Sequence, residues 1–192
     1  SLLNGAMLQL IRNSVASSAI QLSEVIYQEK LTVVFITTAL FNALAEHDKS
    51  SLSSLRLLLF GGEKVSVTPV RKMLSALGPE RIVHIYGPTE TTTYASSKVI
   101  SEIPKSAVTI PIGTPLSNTR LYVLNENEKL VPIGAIGELF IAGDGVSEGY
   151  LNRKELTQER FVNNPFKEGE RMFKTGDLVR CLPDGNIEFI RR

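Results

Sequence analysis

Tyr86, Thr89 and Glu90 stand close together in His84-Ile85-Tyr86-Gly87-Pro88-Thr89-Glu90, and Asp177 follows far downstream in Lys174-Thr175-Gly176-Asp177-Leu178. An aromatic ring such as Tyr86 offers a flat face to a purine. The Thr89 hydroxyl suits a phosphate or a carboxylate, and the Glu90 carboxylate is a hard oxygen ligand for Mg²⁺. Asp177 can accept hydrogen bonds from both hydroxyls of a ribose. A third segment, Leu59-Phe60-Gly61-Gly62-Glu63-Lys64, puts two glycines after an apolar run. There the backbone can approach a planar ligand closely while its amides stay free to bond it. Taken singly, each segment has a plainer reading: Gly87-Pro88 is a common turn, Gly61-Gly62 a βα connection, and Asp177 a turn residue after glycine.

These residues need a frame to hold them. Ala6–Ile11, Leu31–Ile36, Leu55–Phe60 and Arg81–Ile85 read as strands, and Ser18–Glu29, Thr38–Glu46 and Val67–Leu77 as helices between them. Runs so uniformly apolar predict a mostly parallel sheet with helices on both faces. Pro69 in the first turn of the third helix, Thr68 or Ser66 as its cap and Gly78-Pro79 after its end fit that helix. Open parallel sheets place ligands at the carboxyl ends of their strands, where Gly61-Gly62 and Tyr86–Glu90 fall.

From Thr109 onward the texture is different. Arg120–Leu124, Glu138–Ala142, Arg171–Thr175, Leu178–Leu182 and Asn186–Ile190 read as short antiparallel strands. Asn125-Glu126-Asn127-Glu128 and Pro183-Asp184-Gly185 supply turn chemistry between them. The fold class expected is therefore α/β: an α/β subdomain over 1–108, then a smaller antiparallel barrel-like subdomain over 109–192. Ser101–Lys105 is the boundary stretch, and the two parts are expected to pack closely.

Composition narrows the partners. The chain has 192 residues, 43% of them hydrophobic, and a formal net charge of +1. It can bury a substantial core, and it shows neither a basic stripe for nucleic acid nor a block of like charge. Cys181 is the only cysteine, which excludes a disulfide framework and a Cys-rich metal site. His47 and His84 are too few for a zinc cluster or a serine–histidine triad. The opening residues lack the basic region of a signal peptide, and no apolar run reaches the ~20 residues that span a bilayer. The expected setting is cytoplasmic, with no membrane partner. Gly143, Gly145 and Gly149 do not have dinucleotide-fingerprint spacing and read as corner residues, with Glu138 and Tyr150 structural.

Together with Gly137-Glu138-Leu139-Phe140-Ile141-Ala142-Gly143-Asp144-Gly145-Val146-Ser147-Glu148-Gly149-Tyr150-Leu151, the two opening motifs form an ordered trio. By that trio the chain resembles the adenylation domain of nonribosomal peptide synthetases, within the acyl-adenylate-forming, AMP-binding superfamily. The resemblance implies ATP and Mg²⁺ as cofactors and activation of an amino acid to its adenylate. It also implies loading onto the phosphopantetheine thiol of a partner carrier domain within the rest of the synthetase.

By the same resemblance Gly62, Glu63 and Tyr86 sandwich adenine and His84 stands where an asparagine often meets the adenine amino group. Gly87 is counted among the cofactor-binding residues, Thr89 and Glu90 are catalytic, and Glu90 also binds the metal. Asp177 takes the ribose, while Phe189 and Arg192 pack beside the nucleotide, Arg191 standing where glycine is usual. Phe35, Leu59, Gly61, Ile85, Thr93 and Tyr94 surround the amino-acid side chain, and their apolar character favours an aliphatic substrate. The family's phosphate loop, amino-binding aspartate and lid lysine have no match here, so the resemblance implies an internal fragment that is nearly inactive alone. The alternatives are a fragment of an acyl- or aryl-CoA ligase, or a noncatalytic binding module.

Overall fold

The computed structural model describes residues 5–47 and 49–192; residues 1–4, part of the stretch read for a leader, lie outside them. Three apolar runs become parallel neighbours: β1 (Val33–Thr37), β2 (Leu57–Gly61) and β3 (Ile82–Tyr86). Phe35 pairs with Leu59, Phe60 with His84, and Gly61 with Ile85. Successive side chains alternate faces, so Ile36, Leu58, Phe60, Ile82 and His84 share one side and Phe35, Leu59, Gly61 and Ile85 the other.

The first side is covered by α2 (Ala19–Gln28), α3 (Thr38–Glu46) and α4 (Val67–Leu77), with a short α1 (Asn13–Ala16) before them. Leu22, Ile26, Phe41, Leu44, Val70 and Met73 recur at helical spacing and form the buried core with the strand residues. The Ser18 and Thr37 hydroxyls accept the amides of Gln21 and Leu40 at 3.4 Å each, which caps α2 and α3. Gly78, at φ 88°, ends α4 in a conformation that a side chain would strain.

Three expectations fail in this half. Ala6–Ile11 is not a strand. Met7, Leu8 and Leu10 are 75%, 55% and 84% exposed, because an apolar run without a neighbouring strand has no ladder to join. Helices do not cover both faces: among the described residues they lie on one, and Phe35 on the other is 46% exposed. Nor is the sheet mostly parallel. β4 (Ser96–Val99) runs antiparallel to β3, and β5 (Thr114–Pro115) antiparallel to β4, so the five-stranded sheet β1-β2-β3-β4-β5 is mixed. Those two strands are short and polar, and a search for apolar runs passes over them.

The second sheet is a curled antiparallel half-barrel built from β6 (Thr119–Leu124), β7 (Ile136–Gly143), β8 (Phe161–Asn163), β9 (Arg171–Cys181) and β10 (Ile187–Arg191). The two strands expected over Arg171–Thr175 and Leu178–Leu182 are one, β9, interrupted by a bulge. α5 (Lys154–Arg160) precedes β8 and buries none of its residues fully, so no apolar periodicity announced it. Pro183-Asp184-Gly185 makes the expected hairpin between β9 and β10. Asp184 accepts the Asn186 amide at 3.1 Å, and Gly185 sits at φ 80°.

Two hydrogen bonds stitch the sheets together, Ile112 N to Ile187 O and Ile187 N to Gly113 O, both 2.8 Å. A second core of Ala95, Ile112, Val123, Leu139, Ile141, Val179 and Ile187 fills the junction. The stretch Ser101–Lys105 is tied down rather than loose, because the Arg71 guanidinium donates to the carbonyls of Ile103 at 3.0 Å and Pro104 at 2.5 Å.

Candidate functional site

The carboxyl ends of β2 and β3 open onto a cleft of about 800 Å³ whose far wall is the half-barrel. Gly62, Glu63, His84, Tyr86, Gly87, Thr89, Glu90, Asp177, Phe189 and Arg192 all line it. Residues from both ends of the sequence reach one cavity because the Ile112–Ile187 junction brings β10 and the β9 bulge against the end of β3.

The loop after β3 owes its shape to Gly87. The chain leaves through Gly87-Pro88 and returns through Thr93-Tyr94-Ala95, where the Ala95 amide donates to Tyr86 O at 2.8 Å. A Cβ on Gly87 would stand 2.6 Å from both Ala95 N and Thr93 O, so only glycine allows the two arms to lie this close. Within the return, Thr92 and Thr93 take φ of 59° and 72°, unusual for β-branched residues. Thr92 is held there by donating to Gly145 O at 2.8 Å.

Asp177 is 1% exposed and reaches the cleft through the bulge in β9. Glu138 of β7 pairs with Leu178 and Phe140 with Lys174, so Thr175, Gly176 and Asp177 all stand opposite Leu139. Thr175 donates its hydroxyl to Leu139 O at 2.7 Å and accepts the Asp177 amide at 3.0 Å. Gly176, at φ 77°, donates its amide to Glu138 Oε1 at 2.9 Å. Glu138 is thus structural, as the sequence reading held.

The Asp177 carboxylate accepts the Tyr86 hydroxyl at 2.6 Å and the Arg192 guanidinium at 2.8 Å and 3.2 Å. Burial, reinforced by this bond to Asp177, drives the Tyr86 phenol far above its ordinary pKa and keeps it neutral. The hydrogen bond to Asp177 likewise raises the Arg192 pKa.

His84 is 3% exposed and stacks on Phe60 at 4.9 Å between ring centroids; Phe60 in turn stacks on Phe41 at 4.0 Å. Its Nδ1 lies 2.8 Å from Pro111 O. A carbonyl can only accept, so Nδ1 carries the hydrogen, and in the neutral ring Nε2 is then an acceptor. Burial holds the imidazole below its usual pKa, against a smaller opposite effect of the Pro111 bond.

Glu90 is gripped from the half-barrel. Its carbonyl accepts the Ser147 amide at 2.9 Å, and its Oε1 accepts the Tyr150 hydroxyl at 2.5 Å. Tyr150, read from the sequence as mainly structural, also lines the cleft, and burial with the Glu90 carboxylate pushes its phenol up to about 12. Gly145 also proves to be more than a corner, since a Cβ there would stand 2.9 Å from Thr91 O. No group of three or more His, Cys, Asp or Glu suited to a metal occurs among the described residues. A single carboxylate such as Glu90 has the donor chemistry of a Mg²⁺ site in which the ion keeps most of its coordination to phosphate and water.

Phe35, Leu59, Gly61 and Ile85 share the helix-free face of the first sheet, and Tyr94 meets Phe35 edge-on at 5.6 Å with Thr93 beside it. Of these only Ile85 also lines the cleft. Lys64, Thr109, Arg160, Phe173 and Thr175 line it too, and the sequence reading missed them. Tyr150 could have been found from its place directly after Gly149, whereas Arg160 on a short exposed helix carried no signal.

A family model described as AMP-binding enzyme matches residues 1–151. The chain is 55% identical over its whole length to bacitracin synthase 1 of Bacillus licheniformis, of which it spans 4%. Among solved structures it is similar to a four-domain nonribosomal peptide synthetase bound to AMP and glycine, with TM-score 0.87 and 34% identity over 98% of this chain and 14% of that one. It is also similar to PA1221, a synthetase protein containing adenylation and PCP domains, with TM-score 0.83 and 32% identity over 91% of this chain and 36% of that one. The chain thus spans a small part of the relatives it matches.

Proposed function

Since the chain belongs to the AMP-binding enzyme family, and its sequence is of the adenylation-domain kind found in nonribosomal peptide synthetases, we propose that its cleft binds ATP for the activation of an amino acid. The observation that carries this reading is the meeting of the Gly62-Glu63 backbone, the Tyr86 ring and the Asp177 carboxylate in one cavity.

In this reading adenine lies between Tyr86 and Gly62-Glu63, with its amino group toward His84 Nε2. The ribose hydroxyls donate to Asp177, with Phe189 and Arg192 beside them, and Thr89 donates to phosphate. Glu90 holds Mg²⁺, which when bound neutralises phosphate charge. The amino-acid carboxylate attacks the α-phosphorus, the bond to pyrophosphate breaks, and a mixed anhydride forms that the carrier-domain thiol then captures. No covalent nucleophile on the protein is required; positioning and charge neutralisation do the chemistry.

Phe35, Leu59, Gly61, Ile85, Thr93 and Tyr94 form the side-chain pocket. Their lack of charge favours an aliphatic amino acid, because a buried ammonium or carboxylate without a partner costs several kcal/mol. We place the protein in the cytoplasm; no helix among the described residues is long and apolar enough to cross a membrane. We also keep the division into 1–108 and 109–192, with β5 reaching back across it to β4.

Calorimetric titration with AMP tests the nucleotide site. Pyrophosphate exchange into ATP by a longer polypeptide carrying this sequence, run over an amino-acid panel, tests the reaction. Absence of AMP binding overturns the reading, and preference for a charged amino acid overturns the aliphatic pocket.

A further inference from the structure

Glu90 sits on a loop of the first sheet, yet both its carbonyl and its carboxylate are held by the segment that follows β7. The Gly145–Tyr150 segment touches this loop at three successive points: Thr92 Oγ1 to Gly145 O at 2.8 Å, Ser147 N to Glu90 O at 2.9 Å, and Tyr150 Oη to Glu90 Oε1 at 2.5 Å. Tyr150 is itself held firmly. Its amide donates to Thr157 Oγ1 at 3.0 Å, its ring meets Phe161 edge-on at 5.4 Å, and Gly149 at φ 141° lets the chain pass directly over Thr157. Among the described residues Tyr150 is the one side chain that hydrogen-bonds the Glu90 carboxylate.

We propose that Tyr150 is a positioning residue for the metal site: its hydroxyl fixes one oxygen of Glu90 and leaves the other free for a divalent cation carried by the nucleotide phosphates. A glutamate on a flexible stem must otherwise be ordered at the moment the ion binds. A tyrosine hydroxyl that already engages one oxygen of the glutamate in a short, charge-assisted bond restricts that side chain beforehand. The inference rests on the nucleotide reading of the cleft.

Mn²⁺ is the probe, since it follows Mg²⁺ chemistry and reports its own environment. The chain, Tyr150→Phe and Glu90→Gln are each titrated with AMP in EDTA by calorimetry. The same three proteins are then titrated with Mn²⁺ in the presence of ATP, followed by water-proton relaxation and by the Mn²⁺ resonance line shape. The expected result is that Tyr150→Phe loses far less AMP affinity than Mn²⁺ affinity. Mn²⁺ affinity should fall roughly 3- to 10-fold in Tyr150→Phe, a fraction of what a direct hydrogen bond to a charged group contributes because the tyrosine acts through Glu90, and further in Glu90→Gln. Tyr150→Phe behaving as wild type toward Mn²⁺ overturns the inference, and so does an equal loss of AMP and Mn²⁺ affinity, which would mark a purely structural tyrosine. Wild-type chain that binds no AMP in EDTA defeats the nucleotide reading itself.

Discussion

Tyr86 and Asp177 stand 91 positions apart and share a 2.6 Å hydrogen bond that joins the end of a parallel strand to a bulge in the half-barrel. The carboxylate proposed for the ribose is thus paired with a phenol and with Arg192. A nucleotide has to exchange with these partners rather than enter an empty acceptor.

Asp177→Ala removes the acceptor for both ribose hydroxyls. Hydrogen bonds to a charged group contribute about 1.5–3 kcal/mol, so AMP affinity should drop by roughly 10- to 100-fold. Calorimetry on the chain measures this, and an unchanged affinity would move the ribose elsewhere.

The base preference follows from the His84 tautomer. With Nδ1–H given to Pro111 O, Nε2 is left as an acceptor, and in the proposed pose it would take a hydrogen bond from the adenine amino group, whereas inosine would present a carbonyl there and leave two acceptors facing each other. Inosine monophosphate should bind at least about tenfold more weakly than AMP, by one lost hydrogen bond and one buried unpaired acceptor. His84→Ala should bring the two affinities together.

Stability should respond to pH through the same imidazole. Its folded pKa lies below the usual 6.5 because it is buried. The unfolded chain then takes up a proton that the native state refuses. The contribution is fully present above about pH 6.5 and is lost as pH falls through that value toward the folded pKa, with a slope of at most ~1.4 kcal/mol per pH unit. Urea midpoints at pH 7.5, 6.5 and 5.5 should decline in the wild type and flatten in His84→Asn. Glu46, Glu170, Asp184 and Glu188 have lowered pKa values, so their contributions are present above the unfolded values of 4.5 or 3.8 and are lost only below them.

Gly87→Ala forces a methyl group against Ala95 N and Thr93 O. The loop must open, at a cost of roughly 1–3 kcal/mol for a side chain forced into a close-packed site. A lower melting temperature together with weaker AMP binding is the expected outcome; a melting temperature equal to wild type would show that the loop has room to spare.

The sequence alone determined a good deal. Apolar runs located β1, β2, β3 and the helices α2 to α4 to within a residue or two, because burial of a repeating face is a local property of the chain; the cap read at Ser66 or Thr68 forms no side-chain hydrogen bond at the start of α4. That Tyr86 and Glu90 follow an apolar strand was also legible, since residue types and a strand end do not depend on what packs against them; the structure lines one cleft with both and with Asp177.

What the tertiary structure decided is whatever depends on a partner distant in the chain. Ala6–Ile11 has strand composition but no neighbour, while the polar β4 and β5 have neighbours and are strands. Thr175–Asp177 reads as a break between two strands and is a bulge within one, because Glu138 and Leu139 on another strand satisfy its polar groups. Tyr150 gains its place at Glu90 only when the half-barrel folds over the loop after β3. A hydrogen bond requires two groups within about 3 Å, and no local pattern in sequence states which distant segment will supply the second.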